Sequence, residues 1–422
     1  MKVAFFNSRT SYDNPAIKLR CMFCEALLIH NIENISYSPT NLDKPFIIRH
    51  TDGKTYSMAL PRSIPILSKF ARRTRKSLVR KIIFALENLA FALRVIRRLS
   101  EDKVEVYVIT HLWDYEIPFL NLILRVFRPT LIMWLGGSLR WYERLGRWKY
   151  SVFVSIYRAS LNLASLILMN LNPEQKYYLF KVLKLPKAKV LNFKEFIIDD
   201  QLFRTLDKNA SAEKVGFDRK EINIVMVSRI ETPERINSSK DYEKDPFTAL
   251  EIFRRLAEKN PRVKLHVIGR GQGMEEFKKK INQYGLLDKV KIYGWIDRQL
   301  LPEYYSAADL TLFPYPFITV NDGQANYESM LCGTPVIYFK RYSWAKTEQP
   351  GGFLIDRDPE LGAQQILTRL DPAYLLTKKD ETASIPRDFT IEACGNTMER
   401  ILKRLIRTDG EFTKNDTKKG KT

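Results

Sequence analysis

Three residues in the second half of the chain have the types and settings to hold a diphosphate and a vicinal diol. Arg229 closes the apolar run "INIVMVSR", a predicted strand that would deliver it to the mouth of a ligand cleft. Lys244 directly precedes "DPFTALEIF", a helical pattern with Pro near its opening, where Pro is favoured. An arginine fork and a lysine point charge on adjacent segments suit a diphosphate. Glu328 lies just inside the first turn of a helix predicted from "GQANYESML", where a carboxylate can accept hydrogen bonds from a vicinal diol such as a ribose. The first turn itself, Gly323, Gln324, Ala325 and Asn326, offers free backbone N–H groups to an anion. Each residue also has an ordinary reading. With 69 basic residues in the chain, a lone Arg or Lys is most simply a solvated charge, and a Glu early in a helix complements the helix dipole.

Two further stretches close predicted strands. "VIGRGQG" places Gly269, Gly271 and Gly273 where the backbone could approach a ligand, although the spacing is not the dinucleotide fingerprint. "YGWI" puts Gly294, Trp295 and Ile296 near a base, with core packing an equal reading of Trp295.

The elements that must position these residues alternate twice. "KVAFFN", a strand-rich patch at 45–60, "VEVYVIT", "TLIMWLG", "SLILMNL" and "KVLNF" read as strands with helical segments between them. A more polar stretch, 196–220, reads as a linker. The series then resumes with "INIVMVS", "VKLHVIG", "VKIYGW", "DLTLFPY" and "PVIYF". Short apolar strands separated by helices predict βαβ units and buried parallel sheets. The expected architecture is α/β, with two doubly wound, Rossmann-like domains at 1–195 and 221–385 facing across a cleft. A helix at 386–406 is expected to return to the first domain, and 407–422 to be a disordered tail.

The 422 residues carry a net charge of +21, unevenly placed. Residues 1–200 hold 32 Lys and Arg against 16 Asp and Glu, a net +16. "RSIPILSKFARRTRKSLVRK" (62–81) has eight basic residues and no acidic one. It belongs to an amphipathic helical segment, 62–98, that reads as a surface for anionic lipid head groups or as a domain helix with a solvated face. No nucleic-acid module is recognisable, so a nucleic-acid partner is not expected. Four cysteines, no secretory segment and no run long enough to cross a membrane predict a cytoplasmic protein, peripheral on the inner face of the cell membrane if the basic segment binds lipid. The C-x-x-C of Cys21 and Cys24 lacks a second pair and reads as two packed helix residues.

Taken together, strand–"SR"…"K"–helix, "VIGRG", "VKIYGWI", "LPEYYSAADLTLFPY" and "GQANYESMLCGTPVI" resemble, in order and spacing, the retaining GT-B glycosyltransferases of family 4. The likeness is strong over 222–356. It implies that Arg229 and Lys244 hold the donor diphosphate and stabilise departing charge, and that Glu328 binds the donor ribose. Gly294, Trp295 and Ile296 would lie at the base, with Gly269 and Gly271 beside the donor and Gly323 to Asn326 facing the distal phosphate and sugar. The implied reaction moves a sugar from a nucleoside-diphosphate-sugar donor to a glycan or lipid-linked acceptor, with retention, no cofactor and no metal. On the acceptor side the candidates are Asp13, His111, Gly136, Gly137 and Ser138. The sequence departs from the family's Glu-x7-Glu pattern, whose first position is Val320; Asp322 is a nearby stand-in. That departure favours a rival, a degenerate member that binds nucleotide or glycan without turnover. A sugar-nucleotide epimerase on the same fold is a further alternative, but the four histidines form no sequence cluster.

Overall fold

A computed structural model describes residues 2–6, 33–40, 46–49, 56–61, 86, 90, 93–95, 97–99, 101–110, 131–135, 147–169, 171, 173–193, 198–234, 244–317, 324–340, 347–385, 387 and 389–419. The chain divides into two units, Met1–Ile197 with Asp388–Thr422, and Ile198–Arg387. Both are Rossmann-like α/β assemblies on largely parallel sheets.

Unit 1 contains β1 (Lys2–Phe6), β2 (Glu33–Thr40), β3 (Phe46–Arg49), β4 (Tyr56–Pro61), β5 (Val106–Thr110), β6 (Leu131–Leu135), β7 (Leu166–Met169) and β8 (Val190–Asn192). Their order is β3-β4-β2-β1-β5-β6-β7-β8, parallel except for the β3–β4 pair. Helix α1 (Arg147–Leu163) precedes β7. The short helix α2 (Pro173–Tyr177) runs into a π-helical turn at Tyr178–Val182. Arg158 of α1 donates to the carbonyls of Val182 and Leu183, so a charge inside an apolar helix serves the C-terminal end of that turn. Among the described residues no helix is long and apolar enough to cross a membrane.

Unit 2 begins with α3 (Lys208–Val215), capped by Asp207 and ended by Gly216 in the left-handed region. This helix corrects the expectation of a linker at 196–220. It is polar because only one side is covered: Ser211 and Lys214 both reach Glu303 on α6, at 2.7 Å each. The sheet follows as β9 (Ile222–Val227), β10 (Val263–Ile268), β11 (Val290–Gly294), β12 (Leu310–Phe317), β13 (Val336–Lys340), β14 (Glu348–Gln349) and β15 (Gly352–Ile355). Its helices are α4 (Pro246–Lys259), α5 (Met274–Gln283), α6 (Leu301–Ala307), α7 (Gln324–Leu331), α8 (Pro359–Leu367) and α9 (Pro372–Ala383). The order β11-β10-β9-β12-β13-β15-β14 is parallel until the edge hairpin. The near-continuous aliphatic strands are buried on both faces, as a helix-covered parallel sheet requires.

A final helix, α10 (Ile391–Lys419), belongs to unit 1. Cys394, Met398, Ile401 and Leu402 share a core cluster with Val3, Val106, Val108, Ile132 and Leu168. The helix continues to Lys419, where the sequence suggests a disordered tail; once an anchored helix exists, each further residue adds a hydrogen bond without a new nucleus. Cys332 and Cys394 are buried free thiols, while Cys21 and Cys24 lie outside the described residues.

Candidate active site

The strand order of unit 2 reverses between β9 and β12, the place where such sheets open a ligand crevice at their carboxyl ends. β9 and β12 pair through only two residues each, Ile224 with Leu310 and Val225 with Thr311. The segment entering α4 uses the freed edge of β12: Asp245 N–H donates to the Pro314 carbonyl at 2.7 Å. The Asp245 side chain caps α4 through Thr248 N–H at 3.0 Å and pairs with Arg357. Lys244 is thereby fixed beside the crevice, its Nζ 5.7 Å from the centroid of the Phe313 ring on β12.

Arg229 leaves the end of β9 with its side chain 60% exposed, and its guanidinium pairs with the buried carboxylate of Glu231. Burial holds the pKa of Lys244 down to about 8; the Arg229 charge adds to that effect and the Glu328 charge opposes it. The three residues singled out in the sequence therefore lie within electrostatic reach of one another. Glu328, 5% exposed, is a buried carboxylate on α7. Its Oε1 accepts from Arg298 Nη2 at 3.0 Å. Burial first, and then the Glu328 charge, push the Tyr305 hydroxyl and the Cys332 thiol up.

The glycines after β10 lie against the exit of β9. A Cβ on Gly269, Gly271 or Gly273 would stand 1.8, 1.9 or 2.2 Å from the carbonyl oxygens of Ser228, Ile230 and Glu231. The close approach is thus to the chain's own backbone. Ile230 N–H donates to the Arg270 carbonyl at 3.2 Å, and Gly273 N–H to Ile230 at 3.0 Å, fastening the segment that carries Arg229. Gly294, at φ +70°, turns the chain out of β11 and leaves Trp295 62% exposed, so the core-packing alternative for that ring does not apply.

Gln324 and Ala325 are half-buried in the first turn of α7. The side chain of Asn326 is fully buried and donates to the Tyr338 hydroxyl at 3.1 Å, so it anchors the helix whose first turn offers backbone N–H groups. Val320, Asp322 and Gly323 lie outside the described residues, as do Asp13, His111, Gly136, Gly137, Ser138 and the basic stretch 62–81. Sequence reasoning missed Arg298 and Glu231. Arg298 is a cation just after "YGWID", and its partner is thirty residues away on another element.

Among proteins of known sequence, mannosylfructose-phosphate synthase of Agrobacterium fabrum is 30% identical over 111 residues. The match spans about a quarter of each protein, 24% of this chain and 23% of the relative. Among solved structures, sucrose-phosphate synthase from Thermosynechococcus elongatus superposes with a TM-score of 0.69 at 18% identity, over 96% of this chain and 99% of that one. Anabaena HepE in complex with UDP and glucose gives 0.64 at 15% identity, over 96% and 100%. At these identities the likeness is one of fold, that of the GT-B glycosyltransferases. Residues 207–371, nearly all of unit 2 and every described site residue, match the family model described as glycosyl transferases group 1, and unit 2 therefore carries a domain of that family.

Proposed function

We propose that the protein is a glycosyltransferase that moves a sugar from a nucleoside-diphosphate-sugar donor to a glycan or lipid-linked acceptor, with retention of anomeric configuration. The observation that carries this reading is the convergence of Arg229, Lys244 and Glu328 at the carboxyl-end crevice of β9 and β12. Two cations beside a buried carboxylate match the charges of a nucleotide donor, diphosphate at one end and ribose hydroxyls at the other. As the bond from the sugar to the diphosphate breaks, negative charge grows on the leaving group. Arg229 and Lys244 hold that charge more strongly than the ground state, which lowers the barrier. The acceptor hydroxyl attacks from the face that the diphosphate leaves and passes its proton to the departing phosphate oxygen, so the step balances without a metal. The UDP and UDP-glucose complexes of Anabaena HepE support a nucleotide-sugar donor. The net +16 of residues 1–200 supports a cytoplasmic enzyme that meets an anionic membrane and extends a lipid-linked glycan there.

The test is thermal stabilisation by UDP, GDP, ADP and CMP on wild type, Arg229→Ala and Glu328→Ala. At about 100 times its dissociation constant, the matching nucleotide should stabilise wild type by roughly 2.7 kcal/mol and neither variant. No shift with any of the four would overturn the donor site.

A further inference from the structure

Arg298 is the partner of Glu328, and its surroundings fix it unusually well. It follows the β11 exit in a short 3-10 turn, Arg298–Leu300, capped by Asp297 through Gln299 N–H at 2.9 Å. Its guanidinium lies 4.9 Å from the centroid of the Phe203 ring on one side and 3.0 Å from Glu328 Oε1 on the other. Phe203 is fully buried and packs on the Tyr305 ring, 6.3 Å between centroids, so the platform under the guanidinium cannot shift without opening the core. A planar cation held between a ring and a carboxylate fixes the plane of that carboxylate, which a flexible ammonium does not do.

We infer that Arg298 is a positioning residue for the donor ribose: it sets the orientation in which Glu328 meets the vicinal hydroxyls, and so gives the site its preference for ribose over 2′-deoxyribose. The inference rests on the reading of Glu328 as the ribose carboxylate. Two observations carry it beyond a structural ion pair. Arg298 donates to Glu328 at 3.0 Å and Lys244 lies within electrostatic reach of the same carboxylate, so two cations with different tasks act on it. Without Arg298, the buried carboxylate would lose the contact that fixes its plane while the Lys244 charge still acts on it, turning it away from the sugar hydroxyls. Arg298 also lies four residues beyond Gly294, at the same strand end that offers Trp295, so one loop would hold both base and ribose.

The test uses the full chain and isothermal titration with three probes: whichever of UDP, GDP or ADP binds most tightly, its 2′-deoxy counterpart, and inorganic pyrophosphate. Wild type should prefer the ribonucleotide by about tenfold, the value of one hydrogen bond to a charged acceptor. Arg298→Met should reduce that preference to about twofold or less, as should Glu328→Gln, while pyrophosphate binds both variants as it binds wild type. Arg298→Lys, which keeps the charge without the planar fork, should fall between, near threefold. A wild-type preference that Glu328→Gln abolishes and Arg298→Met leaves intact overturns the role of Arg298 alone. If Arg298→Met does not fold, a full wild-type preference in Arg298→Lys overturns it equally. Absence of nucleotide binding or of any preference in wild type, or a full preference in Glu328→Gln, overturns the Glu328 reading and the inference together.

Discussion

At the scale of single residues, the crevice of unit 2 balances charges unevenly. Arg229 has Glu231 and Arg298 has Glu328, whereas Lys244 lies against an aromatic ring. That setting holds its pKa at about 8, against 10.5 for an ordinary lysine, and makes pH a probe of the site. A diphosphate binds the ammonium form. Affinity should therefore be flat below pH 7 and fall as pH rises through about 8, by up to roughly tenfold per pH unit above it. Titration calorimetry from pH 6.5 to 9.5 reads this directly: Lys244→Ala should bind weakly with no step at 8, and a wild-type profile flat to pH 9.5 would sink the assignment. For the ligand-free protein the sign is opposite. The unfolded chain holds more protons than the folded one between pH 8 and 10.5, so this residue makes stability rise with pH across that window. Arg229, Lys244 and Glu328 were legible because each closes a strand or opens a helix in a pattern that sequence displays. Arg298 and Glu231 were not, because their importance comes from contacts that exist only once the elements are placed. At Asn326 the sequence marks a place in the first helical turn but not where the side chain goes, which the Tyr338 hydroxyl settles only in the folded unit.

At the scale of elements, strands written as continuous aliphatic runs were read directly, and β9, β10, β12 and β13 fall where the sequence puts them, within a residue or two. β2, "ENISYSPT", was missed although it lies between β1 and β4. Three serine and asparagine positions interrupt its apolar residues, and its strand character comes from its neighbours on either side. β15, only four residues long, is too short for a pattern to declare itself. The glycines show the same limit, since sequence announces a close approach without saying to what. Two alanine substitutions separate the cases. Gly216→Ala faces open space at φ +71° and should cost about 1 kcal/mol through backbone strain, leaving nucleotide binding unchanged. Gly271→Ala would press its Cβ into the Ile230 carbonyl, forcing apart the two strand exits. It should cost about 1–3 kcal/mol in urea unfolding and also weaken nucleotide binding, because the displaced segment carries Arg229. Equal nucleotide affinity in both variants would show that the glycine contact does not position the site.

At the scale of the whole molecule, the alternation of strands and helices makes the two-unit organisation legible, but not the true extent of the second unit, whose first helix is too polar to announce itself. The last helix ties the chain's end to its beginning: Met398 and Leu402 are fully buried in the core that holds Val3 and Val108. Leu402→Ala should destabilise unit 1 by about 2–5 kcal/mol and expose it to proteolysis, while nucleotide binding in unit 2 persists. Charge is divided as sharply as structure. Residues 1–200 carry +16 of the net +21, and four of the basic positions, Arg72, Arg73, Arg75 and Lys76, crowd into five residues. Charge of that density contributes little to a fold and much to association with an anionic surface, on the order of 1 kcal/mol for each residue near a membrane. The protein should therefore sediment with vesicles containing phosphatidylserine, and should be released as the salt concentration shortens the reach of the field to about 3 Å at 1 M. Replacing the four residues with Gln should weaken binding by up to roughly 4 kcal/mol while thermal stabilisation by nucleotide stays as in wild type. If vesicle binding survives both the salt and the substitutions, the basic stretch is a solvated face and the acceptor need not be lipid-linked. If it is lost to both, charge in the first half of the chain holds the protein at an anionic membrane surface, where a lipid-linked acceptor would lie.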